Sequence, residues 1–171
     1  MNELKGKTAI VTGGSRGFGR GMVEALAAQN MQVYVIARNK ERLAALRSEI
    51  DGRVETISAD VTDAIAAGKI MQEIHPNVLI LNANEESQAQ NLGIRFHTIL
   101  PKLTPETELD QAAVVAYAKR GGVSVEQFLE KMGPPLTPAM AGEAIVTILT
   151  HPEYTEQVAY LLTAEGLQPI N

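Results

Sequence analysis

The residues of this chain best suited to chemistry lie in Thr12-Gly13-Gly14-Ser15-Arg16-Gly17-Phe18-Gly19, directly after the apolar run Thr8–Val11. An apolar strand that enters a glycine-rich turn and then a helix lets the backbone close on a pyrophosphate. The helix N-terminus adds unpaired N–H groups and a favourable dipole. Gly13, Gly17 and Gly19 are equally explained by a tight strand-to-helix connection that holds no ligand, because glycine there needs only unusual φ or close packing. The turn could also hold a lone phosphate without a complete nucleotide site. Arg38 follows the second apolar run, Gln32–Ala37. An acidic residue there would hydrogen-bond a ribose 2′-OH, whereas an arginine can pair with a 2′-phosphate.

The elements that must position these groups alternate. Strands are predicted at Thr8–Val11, Gln32–Ala37, Val54–Ala59 and Asn77–Ala83. Gln32–Ala37 is nearly continuous in apolar character, as a parallel strand buried on both faces requires. Helices are predicted over Gly17–Gln29, with Met22, Val23, Leu26 and Ala27 on one stripe, over the segment capped by Asn39 that carries Leu43, Leu46 and Ile50, and over Thr62–Ile74. Four strands alternating with three helices predict an α/β fold: a Rossmann-like doubly wound parallel sheet in three α/β/α layers, ordered 3-2-1-4. Gly93–Leu100 and Gln157–Thr163 read as further strands, with Arg95–Leu100 and then Gln157–Thr163 extending the same sheet beside the fourth strand. Glu108–Lys119 reads as a helix. Ser124 and Gln127 form a capping box for Val125–Met132, and Thr137 with Pro138 starts a last helix that runs to about Leu149.

Composition narrows the classes. The 171 residues suit a single domain, 1–171, with 45% hydrophobic and 20% charged residues. A formal net charge of −5 argues against nucleic acid as the main partner. There is no cysteine, so disulfides, thiolate catalysis and cysteine-ligated metals are excluded. No apolar run approaches membrane-spanning length, and the N-terminal residues do not read as a signal peptide, so no membrane partner and a cytoplasmic location are the expectation. His75, His97 and His151 are isolated and show no metal-ligand spacing.

With these elements in place, the chain resembles a short-chain dehydrogenase/reductase along nearly its whole length. Thr12–Gly19 fits the family pattern T-G-x-x-x-G-x-G. Asp60-Val61 stands where the family places an acidic residue against the adenine. Asn82-Ala83-Asn84 resembles the N-A-G motif, Pro101-Lys102-Leu103-Thr104 the P-G-x-x-x-T loop beside the nicotinamide, and Tyr160–Gly166 the final strand and its turn. The resemblance implies a site for NADP formed by Gly13, Ser15, Arg16, Gly17, Phe18, Gly19, Arg38, Asp60, Val61, Asn82, Ala83, Pro101 and Thr104. Arg16 supports NADP over NAD, because the family's phosphate-preferring members also tend to carry a base in the glycine turn. Both arginines could instead simply face solvent. The resemblance further implies a small carbonyl or alcohol substrate and makes 101–140 a helical segment like a substrate lid. Leu129, Met132, Leu136 and Met140 would line that lid or pack its helices.

The family's catalytic middle has no counterpart. Between the N-A-G and P-G motifs it places a helix with Asn, a strand ending in Ser, and a helix with Tyr-x-x-x-Lys; only Glu85–Leu92 stands here. Roughly 70 to 80 residues of core are missing by that comparison, more than loop variation explains. Either this is a truncated relative, or an internal segment of a larger chain is absent from the sequence. Tyr117-Ala118-Lys119-Arg120 does not replace the pair. Lys119 is two positions from Tyr117 and faces elsewhere on a helix, and this helix follows the P-G-like loop rather than preceding it. The expected function is therefore family-level NADP-dependent oxidoreduction with an inactive chain, or a non-catalytic nucleotide-binding or structural remnant. The shortened crossover should also expose apolar surface beside the fourth strand and favour self-association.

Overall fold

The computed structural model describes residues 3–50, 53–82, 97–154 and 157–170. The first half forms β1 (Thr8–Thr12), α1 (Gly17–Ala28), β2 (Gln32–Ala37), α2 (Lys40–Glu49), β3 (Val54–Ser58), α3 (Ala64–Ile74) and β4 (Val78–Leu81). These strands make a parallel sheet ordered β3-β2-β1-β4, the order expected from the alternation of elements. Its register pairs Ile10 with Tyr34 and Leu79, so β1 is central. The result is a Rossmann-like, three-layer α/β/α fold.

Local chemistry sets the boundaries. Helix α1 ends where Asn30 adopts φ 61°, a left-handed conformation that asparagine tolerates well. The Asn39 side chain caps α2 by accepting from the Arg42 N–H, as expected. The third helix starts later than Thr62, because Asp63 accepts from the N–H groups of Ile65 and Ala66 and so fixes its N-terminus. It ends at His75, whose φ is 50°, and Pro76 cannot continue it. Alternate residues of the two central strands, Ala9 and Val11 with Val33 and Val35, pack against Val23 and Leu26 of α1 and Leu43 and Leu46 of α2. Ile10 and Ile36, buried on the opposite sheet face, account for the near-continuous apolar runs.

The second half forms β5 (Thr98–Pro101), α4 (Glu108–Arg120), α5 (Val125–Met132), α6 (Pro138–Thr150), a short 3₁₀ turn (Pro152–Tyr154), β6 (Ala159–Thr163) and β7 (Gly166–Pro169). Here one expectation is corrected. The strands after β4 do not extend the first sheet by a ladder among the described residues; they form a second sheet, β5-β6-β7. β5 pairs parallel with β6, as expected, but β6 turns back through Thr163–Gly166 into an antiparallel β7, which occupies its other edge. The predicted strand Gly93–Leu100 is observed from Thr98, and its residues 93–96 lie outside the described residues.

Helix α6 joins the two sheets. It packs along α1 at very short range: a Cβ on Gly21 would overlap the Pro138 carbonyl and stand 3.0 Å from the Pro138 Cα. Ala141, Ala144 and Ile145 of α6, Leu162 of β6 and Leu136 enter the same core as β1 and β2. Leu136 is buried in that core and Met140, partly buried, packs against it. Beside β4 the expected apolar exposure is present: Leu79 and Leu81 are 42% and 40% exposed.

Candidate functional site

The C-terminal ends of β1, β2 and β3 open onto a groove of about 630 Å³, within the usual range for small-molecule sites. Its floor is the glycine turn. The Gly13 N–H donates to the Ile36 carbonyl at 2.8 Å, holding the turn against the end of β2. Gly13 and Gly17 have φ of 64° and 54°. Arg16 is the N-cap residue of α1 and gives no side-chain cap. Its side chain has no acceptor to offer the first-turn N–H groups of α1, which are the groups an anion at that end would use.

The end of β4 buttresses the turn. Asn82 Nδ2 donates to the Gly13 carbonyl at 3.3 Å, and the Asn82 N–H donates to Thr12 Oγ1 at 3.1 Å. The Asn82 side chain and backbone thus tie the glycine turn to the end of β4. Gly19 lies beneath: a Cβ there would stand 2.6 Å from Asn82 Nδ2, so any larger residue would expel that amide.

Of the residues singled out from the sequence, Gly13, Ser15, Arg16, Gly17 and Phe18 line the groove with Arg38, Asp60, Val61 and Asn82. Gly19 supports the floor without lining it. Pro101 and Thr104 are not at the groove. Pro101 pairs with Leu162 in the second sheet, and Thr104 is fully buried, its N–H donating to Asp110 Oδ2 at 3.2 Å. Ala83 and Asn84, like Glu85–Leu92, lie outside the described residues.

Three arginines bring positive charge to the groove: Arg16, Arg38 and Arg42. Arg42 escaped sequence reading, although its position four residues after Arg38, in the first turn of α2, is a local signal. Two carboxylates balance them. Asp60 Oδ1 accepts from the Thr62 N–H at 3.0 Å and the Thr62 hydroxyl at 2.8 Å. Those bonds hold the Asp60 carboxyl below its ordinary pKa, with Arg38 adding to the effect. Asp60 thus starts the turn before α3 while lining the groove.

The second carboxylate, Glu108, arrives from α4. Its Oε2 accepts from Arg16 Nη1 and lies 3.4 Å from Arg42 Nη2. The Arg16 hydrogen bond, followed by the charge of Arg42, keeps the Glu108 carboxyl below its usual pKa. Thr107 lines the groove with it, against Gly17. No local pattern announces Glu108, because its partner Arg16 is 92 positions away.

The groove suits an anionic ligand that carries phosphate. The Tyr117 ring is not among the residues that line it. Tyr117 is half-exposed on α4 and stacks on Phe128, with centroids 6.4 Å apart and planes at 9°. Among the described residues no three of His, Asp or Glu gather as a metal site, and no helix is long and apolar enough to cross a membrane.

A Rossmann-like sheet with its glycine turn at the strand ends defines the class as a nucleotide-type α/β fold. Residues 7–91 match the family model described as short chain dehydrogenase. The chain is 36% identical to 17-beta-hydroxysteroid dehydrogenase type 3 of Danio rerio over 62% of this chain and 34% of that protein. Two solved structures share the fold at 15% identity: an actinorhodin polyketide ketoreductase with NADPH (TM-score 0.73, 95% of this chain and 97% of the other) and the L-sorbose reductase of Gluconobacter frateurii with NADPH and L-sorbose (TM-score 0.70, 97% and 98%). The chain spans between 24% and 60% of the length of the leading curated relatives it matches.

Proposed function

We propose that this chain binds a 2′-phosphorylated nicotinamide dinucleotide, NADP or NADPH, and that it does not itself reduce carbonyls. The observation that carries the reading is the convergence of Arg16, Arg38 and Arg42 on a groove floored by the glycine turn. The turn and the start of α1 would take the pyrophosphate, Asp60 and Val61 would flank the adenine, and Arg38 with its two neighbours would pair with the 2′-phosphate. When bound, the dinucleotide supplies hydride chemistry. The family's substrate class, a small carbonyl or alcohol, is the expected context for that chemistry.

The chain's own contribution stops at binding and orientation. A carbonyl reductase needs a proton donor held where the alkoxide develops, worth about 10²–10⁴-fold in rate. The sequence lacks the family's Ser, Tyr and Lys, and the position of Tyr117 on Phe128 supports a structural role for that ring. Calorimetric titration with NADPH and NADH tests the binding half. A charge-assisted hydrogen bond is worth about 1.5–3 kcal/mol, so NADPH should bind at least about tenfold tighter, and Arg38→Gln should erase most of the difference. Equal affinities refute the assignment. Assay of purified protein against ketones, aldehydes and alcohols tests the second half. Turnover that Tyr117→Phe abolishes would place a catalytic centre on α4.

A further inference from the structure

We infer that Glu108 is an internal substitute for phosphate: its carboxylate latches the start of α4 to Arg16 and Arg42, and a 2′-phosphate must displace it to take those guanidinium groups. This rests on the dinucleotide reading above and assigns Glu108 as the residue that sets the strength of phosphate discrimination.

The latch is built at both ends. Arg16 belongs to the glycine turn and Arg42 to the first turn of α2, and the two guanidinium groups meet on one oxygen, Glu108 Oε2. Glu108 is held in reach by its own segment. Thr107 caps α4 by accepting from the Asp110 N–H, and Thr104, fully buried, donates its N–H to the Asp110 carboxylate. The Gln111 side chain donates to the Pro105 carbonyl at 3.1 Å, which closes the same loop. Thr107 also packs on the turn itself, 3.6 Å from where a Cβ on Gly17 would stand. The carboxylate therefore reaches the arginines from an ordered support.

A carboxylate and a phosphate offer the same recognition chemistry to a guanidinium, namely anionic oxygens in a fork. Both cannot occupy Arg16 and Arg42 in the same geometry. The side chains of Arg16 and Glu108 are 53% and 62% exposed, so the latch is soft: exposed pairs are worth little individually. Exchange of partners is then graded, and it costs a phosphorylated ligand some affinity that an unphosphorylated one does not lose.

The test is titration of wild type and Glu108→Gln with NADPH and NADH, at low and high salt. From the strength of exposed ion pairs, Glu108→Gln should tighten NADPH by about three- to tenfold and change NADH by less than about twofold, with the gain shrinking in high salt. A second measurement needs no variant. Adenosine 2′,5′-bisphosphate should speed amide hydrogen exchange over Glu106–Gln111 in wild type, because the latch opens. Equal shifts for NADPH and NADH, weaker NADPH binding by the variant, or unchanged exchange over Glu106–Gln111 with the bisphosphate bound would overturn the role of Glu108 and leave the dinucleotide reading standing. Failure of wild type and variant alike to bind either dinucleotide would overturn both.

Discussion

Two glycines inside helices should respond to the same substitution with opposite signs. Gly21 of α1 faces α6 so closely that an added methyl would overlap the Pro138 carbonyl; Gly142 of α6 faces back, where a Cβ would stand 2.7 Å from the Ala25 Cβ. Gly68 of α3 has nothing within 4 Å of its would-be Cβ. Alanine is favoured over glycine in a helix interior by about 1 kcal/mol, and that gain applies at all three positions. At Gly68 it acts alone, so Gly68→Ala should stabilise by about 0.5–1 kcal/mol. At Gly21 it is opposed by overpacking against backbone that cannot rotate away, about 3 kcal/mol at the upper end of the usual range. The net is a loss of about 2 kcal/mol. With about 2–4 °C per kcal/mol for a chain of this size, Gly21→Ala should lower Tm by about 4–8 °C and Gly68→Ala should raise it by about 1–4 °C. Thermal melts followed by circular dichroism, with urea titrations at fixed temperature, measure both. If Gly21→Ala is neutral or stabilising, α1 and α6 are not in backbone contact and the account of how the two sheets are joined is wrong.

Other positions give further tests. Asn82→Ala removes the amide that braces the Gly13 carbonyl, and should cost about 1 kcal/mol in urea unfolding while weakening NADPH and NADH alike, since the floor of the groove rather than its arginines is affected. Tyr160 is buried and donates to the Tyr154 carbonyl at 3.1 Å; burial first, and then Tyr154, lifts its phenol above the ordinary value. The folded state therefore favours the protonated phenol: the contribution is intact below the unfolded pKa of about 10 and is lost as pH rises through the higher folded value. Tyr160→Phe should cost about 1 kcal/mol at neutral pH and flatten the alkaline decline, read from urea midpoints across the pH range. Ser124→Ala deletes half of a complete capping box on α5 and should cost about 1 kcal/mol, whereas Ser48→Ala, on the exposed face of α2, should change stability by less than about 0.5 kcal/mol.

The sequence was most informative where physics is local. The order β3-β2-β1-β4 follows from short apolar runs separated by helices, and the caps at Asn39, Ser124 and Thr137 follow from side-chain oxygens at the right offset. The glycines of the groove floor were readable for the same reason, since the turn is contiguous in the chain, whereas Asn82, 69 positions from Gly13, came from the family resemblance. Asp63 was missed as a cap because Thr62 stands beside it with a similar oxygen. The antiparallel strand β7 was missed because Gly166-Leu167-Gln168-Pro169 carries no β-branched residue, and its pairing comes from the turn after Thr163. The placement of Pro101 and Thr104 away from the groove depends on which sheet β5 joins, which is a tertiary outcome. Glu108 is the sharpest case, because its partners are set by the docking of α4 on the glycine turn rather than by anything near it in the chain.

The contact between α1 and α6 also bears on how the chain matures as it is made. Helix α1 is complete at Ala28, while the helix that covers it begins at Pro138, about 110 residues later. At a synthesis rate of about 5–20 residues per second, the small-residue face of α1 waits for roughly 5–20 s on the ribosome before its cover exists. During that interval the β1-α1-β2-α2-β3 unit can assemble from neighbouring contacts, but its outer helical surface remains apolar and unpaired. Slowing translation over residues 29–137 should prolong that exposure, and exposed apolar surface favours association.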